Sequence, residues 1–511
     1  MPTPTKVPEV PSLTERRAGV LMHLTSLPGP DGSGDLGDAA HTFIDALAES
    51  GAAWWQMLPV AVPGPGLSPY SSPSASAGNP YLISLEALRR RGLLGPGEAA
   101  SLPSTTRIDA GAMIEHRHRA LREAYRNRAR ERAWTTRALD ETLTREPHVR
   151  DYALFAALHA HFRGRPWTEW PKDLRDREPD AMRDAEARLA EDIGFHLFAQ
   201  SMFRTQWSDL RAHAAVAGVA LLGDAPIFVD ADSADVWANR AWFDLREDGH
   251  PRVVAGVPPD AFSATGQRWG NALYRWEVLR EHGYSWWIER LRAALARFDA
   301  VRIDHFIGFY RYWEIPAEEP TALVGTFQPG PREAFFEAVQ SELGLGQLIA
   351  EDLGIVTDEV NALRERFRIP GMRVLQFSMW PDPSAEHLRP WKYPEDSIAY
   401  TGTHDNDTTA GWLASLEQSE GGRHELDYIR SVLPPSSEAL VDQLTRLVFE
   451  SKSRLAVVPM QDLLALGTEA RMNHPGTTEG NWLWRMGEGD FSDAVRAKLK
   501  ALIRDTDRAP T

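Results

Sequence analysis

Eight short apolar runs punctuate the chain, at 19–24, 53–59, 219–229, 298–304, 347–351, 372–379, 397–402 and 455–459. The stretches between them repeat their apolar residues at helical spacing, most clearly at 39–50 and 276–297. Brief, nearly continuous apolar runs are what a parallel strand needs when both of its faces are covered. Eight such strands alternating with helices predict an α/β fold, a (β/α)8 TIM barrel, with mostly helical insertions in the barrel loops. No short internal repeat is visible.

The spacing between runs is uneven, which places the insertions. A Gly/Pro-rich loop at 28–37 follows the first run. A longer Gly, Pro and Ser loop at 62–80 follows the second, and loops of that length are more often functional than connective. From about 110 to 215 the pattern is helical and strands are hard to find. This stretch carries Arg117, Arg119, Arg122, Arg126, Arg128, Arg130 and Arg132. A basic helix that binds nucleic acid is one reading. Interleaved Glu115, Glu123 and Glu131 favour the other, a solvated helix laced with ion pairs. A further loop is expected at 249–272. The domain expectation is one catalytic barrel over 1–511, with 60–215 as a loop and largely helical insertion.

Composition narrows the class. The chain has 511 residues, 43% of them hydrophobic, enough for one large core. A net charge of −16 argues against nucleic acid as a partner. The absence of cysteine removes disulfides, thiolate catalysis and thiolate metal sites. The first eleven residues are rich in Pro and Thr without an apolar signal core, and no long uncharged apolar span follows. The expectation is a cytoplasmic protein with no membrane partner. Eighteen tryptophans are many. Most are expected in the core; those on loops are candidates to stack on flat ligand faces.

The candidate chemistry sits where strands end. Val301-Arg302-Ile303-Asp304-His305, Leu348-Ile349-Ala350-Glu351-Asp352 and Ile398 to Asp405 each finish on a carboxylate. In a β/α barrel that position lines the active site. Carboxylates without cysteine or a plausible metal cluster suit acid/base chemistry at a sugar acetal. Asp304 fits the nucleophile, because Arg302, two residues earlier, shares its face of an extended strand and would keep it charged. Glu351 fits the acid/base by its longer reach. Asp405 and His404 fit contacts to sugar hydroxyls. Each motif has a plainer reading. Arg302 and Asp304 also suit a structural ion pair. Glu351-Asp352 also suits a helix cap. His404-Asp405-Asn406-Asp407 also suits a self-bonded turn or a cation site. Three of them in this order, each at a strand end, point to catalysis.

From about Arg17 to Arg485 the chain resembles the 4-α-glucanotransferases, also called amylomaltases or disproportionating enzymes, of the α-amylase superfamily. The strings that carry the likeness are Ser68-Pro69-Tyr70, Ala77-Gly78-Asn79-Pro80-Tyr81, 223–229, Val257-Pro258-Pro259-Asp260 with Gly266-Gln267-Arg268-Trp269-Gly270, 302–306, 350–354, 401–407 and Glu469-Ala470-Arg471-Met472-Asn473 with Pro475-Gly476-Thr477. The resemblance implies Asp304 as nucleophile, Glu351 as acid/base and Asp405 as transition-state stabiliser. It implies that Arg302, Asp224 and His404 surround the reacting sugar and that Tyr70 stacks on it. It implies that the 249–272 loop overhangs the cleft, with Trp269 as a sugar platform. The implied partners are α-1,4-glucans and maltooligosaccharides, with glucose as product or acceptor and no cofactor or metal. Ile307 and Arg332 depart from the family's usual Arg and Gly. Competing readings are an α-amylase-type hydrolase with the same triad and a non-catalytic glucan-binding protein.

Overall fold

The computed structural model describes residues 10–95, 101–128, 143–144, 146–259 and 263–510. Arg130, Glu131, Arg132 and Asp260, singled out above, lie outside them. The described strands are β1 (Arg17–Leu21), β2 (Trp54–Gln56), β3 (Ala220–Ala225), β4 (Val253–Val257), β5 (Gln267–Ala272), β6 (Ala300–Ile303), β7 (Arg311–Pro316), β8 (Thr326–Pro329), β9 (Leu348–Ala350), β10 (Gly371–Val374), β11 (Ser397–Tyr400) and β12 (Leu455–Pro459). Eight of these close a parallel barrel in the order β1-β12-β11-β10-β9-β6-β3-β2. They are the eight apolar runs. Each is nearly or wholly buried, as strands enclosed by side chains inside and helices outside must be. Gly223 allows one close contact: a Cβ there would meet the Phe298 ring at 2.3 Å. The missing side chain lets the layer outside β3 press against the strand one residue before Asp224.

Most tryptophans are core. Trp54, Trp55, Trp167, Trp237 and Trp287 are fully buried, whereas Trp269 and Trp391 stay exposed. Between β2 and β3 the described residues hold helices and no strand, ending in the 28-residue helix Ala190–Ala217. Gly218, at φ 74°, stops that helix just ahead of β3.

Three local readings differ from the structure. The 249–272 stretch, read as loop, contains β4 and β5. With β7 and β8 these form a four-stranded antiparallel sheet in the order β5-β4-β7-β8. Gly and Pro break its apolar pattern, and β5 and β8 are largely exposed edges, so no run of apolar residues marks them. The helix expected at 276–297 is two, Trp276–Glu281 and Ser285–Arg297, because Gly283 and Tyr284 adopt positive φ. The arginine-rich helix Ala110–Arg126 is not uniformly solvated. Arg126 pairs with Glu123 on the same helix, as the charge alternation suggested, whereas Arg122 pairs with Asp192 of the helix Ala190–Ala217. Arg117 instead is fully buried and donates to the carbonyls of Asp31, Ser33 and Ile83 and to Asp35. It fastens the helix to the loop after β1.

A second buried arginine closes the opposite end of the barrel. Arg508 donates to the carbonyls of Phe449, Arg17, Arg454, Ser451 and Ser453, joining the residues around the start of β1 and β12. Burial, with Arg16 nearby, pulls its pKa down to about 9. Removing it takes away these five hydrogen bonds and a fully buried side chain, although Arg16 also reaches the carbonyls of Phe449, Ser451 and Ser453. Arg508→Ala is expected to cost about 2–4 kcal/mol of stability, read as a drop in the denaturation midpoint by circular dichroism. A midpoint equal to that of the parent chain contradicts this account.

Candidate active site

Asp304 and Glu351 each follow directly on the last residue of a strand, β6 and β9, which are neighbours in the barrel. Asp224 sits one residue before the end of β3, on the other side of β6. Three adjacent parallel strands therefore deliver three carboxylates to the C-terminal mouth of the barrel. Arg302, inside β6, is 4% exposed and reaches two of them. Its Nη1 donates to both Asp224 oxygens at 2.8 and 2.7 Å, and its Nη2 lies 2.9 Å from Asp304 Oδ1. The two-residue offset that puts Arg302 on the face of Asp304 is satisfied. The ion pair is real, but it is shared with a second carboxylate that sequence spacing did not link to it.

Accessibility separates the roles. The Asp224 side chain is only 1% exposed, roofed by Tyr70, whose hydroxyl donates to Asp224 Oδ2 at 2.7 Å. Burial first, and Asp224 next, push the Tyr70 pKa well above its usual value, so this hydroxyl keeps its proton. The Asp304 side chain is 28% exposed and is open to an incoming group. Glu351 is held by two backbone donors, His305 N–H to Oε2 at 2.7 Å and Leu353 N–H to Oε1 at 3.0 Å. The residue after the proposed nucleophile thus grips the other carboxylate directly. His305 takes φ 52° to do so, the left-handed region that a non-glycine residue enters only when its surroundings hold it there.

Burial raises the pKa of Glu351, with Arg302 and the two N–H bonds opposing it. Burial likewise raises that of Asp304; Arg302 opposes it, and Asp224, Glu351 and Asp405 add to it. Asp304 has the guanidinium in direct contact. Among the described residues, the hydrogen bonds to the Glu351 carboxylate come from neutral amides. A proton shared between the two is therefore better placed on Glu351.

Asp405 lies beyond β11 in the loop 401–408, its side chain 44% exposed. The plainer readings of these motifs resolve as follows. Asn406 Oδ1 accepts from Thr403 N–H and hydroxyl, and Asp407 accepts from Thr408 N–H and the Thr468 hydroxyl, so the loop is a self-bonded turn. Glu351 and Asp352 do not cap the next helix, Asp358–Arg366, which begins after Thr357. Asp352 turns away to Met372 N–H, Arg364 and Arg373. His404 is buried, lies 3.3 Å from Asp405 Oδ1 and stacks on Tyr70 at 5.2 Å between ring centroids. Burial lowers its pKa, with Asp405 opposing. Trp269 is on β5 and 39% exposed, with its ring edge-on to His305 at 4.9 Å. All eight residues chosen from sequence therefore fall into one connected neighbourhood.

The structure adds residues to it. Trp482 completes an aromatic group with Tyr70 and His404. Asn473 Nδ2 donates to Asp405 Oδ1 at 2.7 Å, and Arg471 donates to the Asp405 carbonyl at 2.6 Å. Both belong to a string already marked by the family resemblance. Nothing in its spacing showed that it folds back on the β11 loop. Arg332, which replaces a common glycine, has φ 52°, so the backbone keeps the conformation that glycine favours.

Comparison with known proteins gives the family. The profile of a family described as 4-alpha-glucanotransferase matches residues 22–489. The 4-alpha-glucanotransferase of Thermus thermophilus is 47% identical, covering 96% of this chain and 99% of its own length. That of Synechocystis is 42% identical, covering 95% and 97%. The solved amylomaltase of Streptococcus agalactiae, in complex with acarbose, superposes with a TM-score of 0.93 at 36% identity, covering 97% of this chain and all of that one. The chain belongs to the 4-alpha-glucanotransferase family.

Proposed function

We propose that this chain transfers a segment of an α-1,4-glucan to the 4-hydroxyl of an acceptor glucan or glucose, with Asp304, Glu351 and Asp405 as its catalytic residues. The observation that carries the assignment is the charge arrangement around Arg302. One guanidinium lies against Asp304 and favours its anion over that of Glu351, which is bonded only to amides among the described residues and is the better place for the shared proton. The sugar-like acarbose bound by the Streptococcus agalactiae relative supports a glucan ligand here.

Asp304 attacks the anomeric carbon as Glu351 delivers its proton to the leaving glycosidic oxygen. The reducing-end piece departs and a glycosyl ester remains on Asp304. Glu351, now a carboxylate, takes the proton from the acceptor's 4-hydroxyl, whose oxygen displaces Asp304. Two inversions retain the α linkage. Asp405 grips sugar hydroxyls more strongly as the ring flattens. Asp224, clamped by Arg302 and Tyr70, lines the same pocket, and His404 adds a further polar contact. Trp269 is the platform for acceptor sugar, and 249–272 the wall over the cleft. A positioned acceptor outcompetes water because its effective concentration reaches on the order of 10⁵ M in favourable cases. The whole of 1–511 serves as one catalytic unit, with 60–215 inserted in it. We infer that the reaction runs without a cofactor or metal and in the cytoplasm. Among the described residues no helix is long and apolar enough to cross a membrane.

Maltotriose as sole substrate is expected to give glucose plus a ladder of longer maltooligosaccharides on chromatography. Rising reducing ends without longer chains would instead mark a hydrolase. Glu351→Gln is expected to lower kcat on maltotriose by roughly 10²–10⁴-fold, and unchanged turnover refutes the acid/base role. The raised pKa values of both carboxyl groups set the pH profile. The active form carries one proton on the pair. Activity is lost at low pH as Asp304 gains a proton and at high pH as Glu351 loses its own. Both limbs of kcat/KM should lie above the ordinary carboxylate range of about 3.9–4.3. A profile still flat at pH 4 contradicts the shared proton.

A further inference from the structure

The carboxylate of Asp405 is held unlike the other two. Asp304 has a guanidinium against it, and Glu351 leans on the backbone beside β6. Asp405 stands on a loop five residues past β11, half-exposed, with no regular element to fix it. Within the loop its N–H donates to the Thr403 hydroxyl at 3.3 Å, and further bonds come from 471–473. The Arg471 guanidinium divides between two carbonyls, Nη2 to Asp405 at 2.6 Å and Nε to Asn473 at 2.7 Å. Asn473 in turn donates its backbone N–H to the His404 carbonyl at 3.1 Å and its side-chain Nδ2 to Asp405 Oδ1 at 2.7 Å. Two segments more than sixty residues apart are joined into one plate carrying His404, Asp405 and Asn473.

The chemistry of the donors is telling. Arg471 spends its bonds on carbonyls and leaves Oδ1 of the carboxylate to the Asn473 amide at 2.7 Å and, at 3.3 Å, to His404, whose pKa burial lowers. The amide orients Oδ1 without cancelling the negative charge. A guanidinium in the same place would hold the carboxylate harder and weaken its attraction for sugar hydroxyls and a positive ring. We propose that Asn473, anchored by Arg471, is a positioning residue that aims Asp405 at the reacting sugar while preserving its charge. This rests on Asp405 being the transition-state stabiliser.

The test uses the full chain and maltotriose. Asn473→Asp keeps the size and puts an oxygen where the N–H stood. Asn473→Ala removes the tether. Both are expected to lower kcat at least about tenfold while KM stays within about threefold, because a carboxylate misaimed by about 1 Å costs rate on the order of 10²-fold. Thermal midpoints should stay near that of the parent. In an Asp405→Asn background, Asn473→Ala should add less than about twofold, since there is no longer a charge to aim. Arg471→Lys, whose ammonium lacks the fork that spans both carbonyls, should show the same split between kcat and KM. Wild-type kcat in Asn473→Asp, or an equal loss from Asn473→Ala with and without Asp405, overturns the inference. If Asp405→Asn itself keeps full turnover, the role given to Asp405 fails, and the inference falls with it.

Discussion

The contact between Arg302 and the carboxylates at the barrel mouth is the constraint on which the site depends. A buried guanidinium demands partners, and Asp224 and Asp304 supply them from the same strand and its neighbour. That demand orders the rest. Asp224, used up by Arg302 and Tyr70, is a fixed wall. Asp304 keeps one side open. Among the described residues no cation pairs with Glu351, and its proton becomes the mobile one. At a separation near 3 Å and an effective dielectric of about 20, an ion pair is worth roughly 5 kcal/mol before desolvation. Burial works against both charges, and this contact favours the anion at Asp304 over that at Glu351.

The surrounding fold supplies rigidity in proportion to need. β3, β6 and β9 are neighbours in the barrel, so Asp224, Asp304 and Glu351 inherit their positions from ladder hydrogen bonds. The loop after β11 has no such ladder and is held by bonds within its own turn, by Thr468 and by 471–473. Buried arginines repeat the device elsewhere. Arg117 bonds an inserted helix to the loop after β1, and Arg508 gathers the carbonyls at the barrel's other end. Loops and chain ends carry many carbonyls without partners, and a guanidinium satisfies several from one centre.

What was legible from the chain divides along physical lines. A barrel strand covered on both faces has to be mostly apolar, so β1, β3, β6, β11 and β12 stand out as runs even with Asp224 in β3 and Arg302 in β6. Exposed edge strands do not have to be. β5, with Arg268, Trp269, Gly270 and Asn271, and β8, with Thr326 to Pro329, read as loop because nothing buries them on two sides. Arg117 was read with its neighbours because alternating charges look alike whether a given arginine faces water or a ring of carbonyls.

Local order along the polymer was enough for the eight strands, for carboxylates at their ends and for Arg302 beside Asp304, since these follow from side-chain size, polarity and the two-residue repeat of an extended backbone. Contacts between segments distant in the chain came only with folding: Arg302 on Asp224, His305 N–H on Glu351, and Asn473 on Asp405. Such pairings depend on barrel closure, strand register and loop paths. These are cooperative results of packing the whole chain, and no short window of residues encodes them.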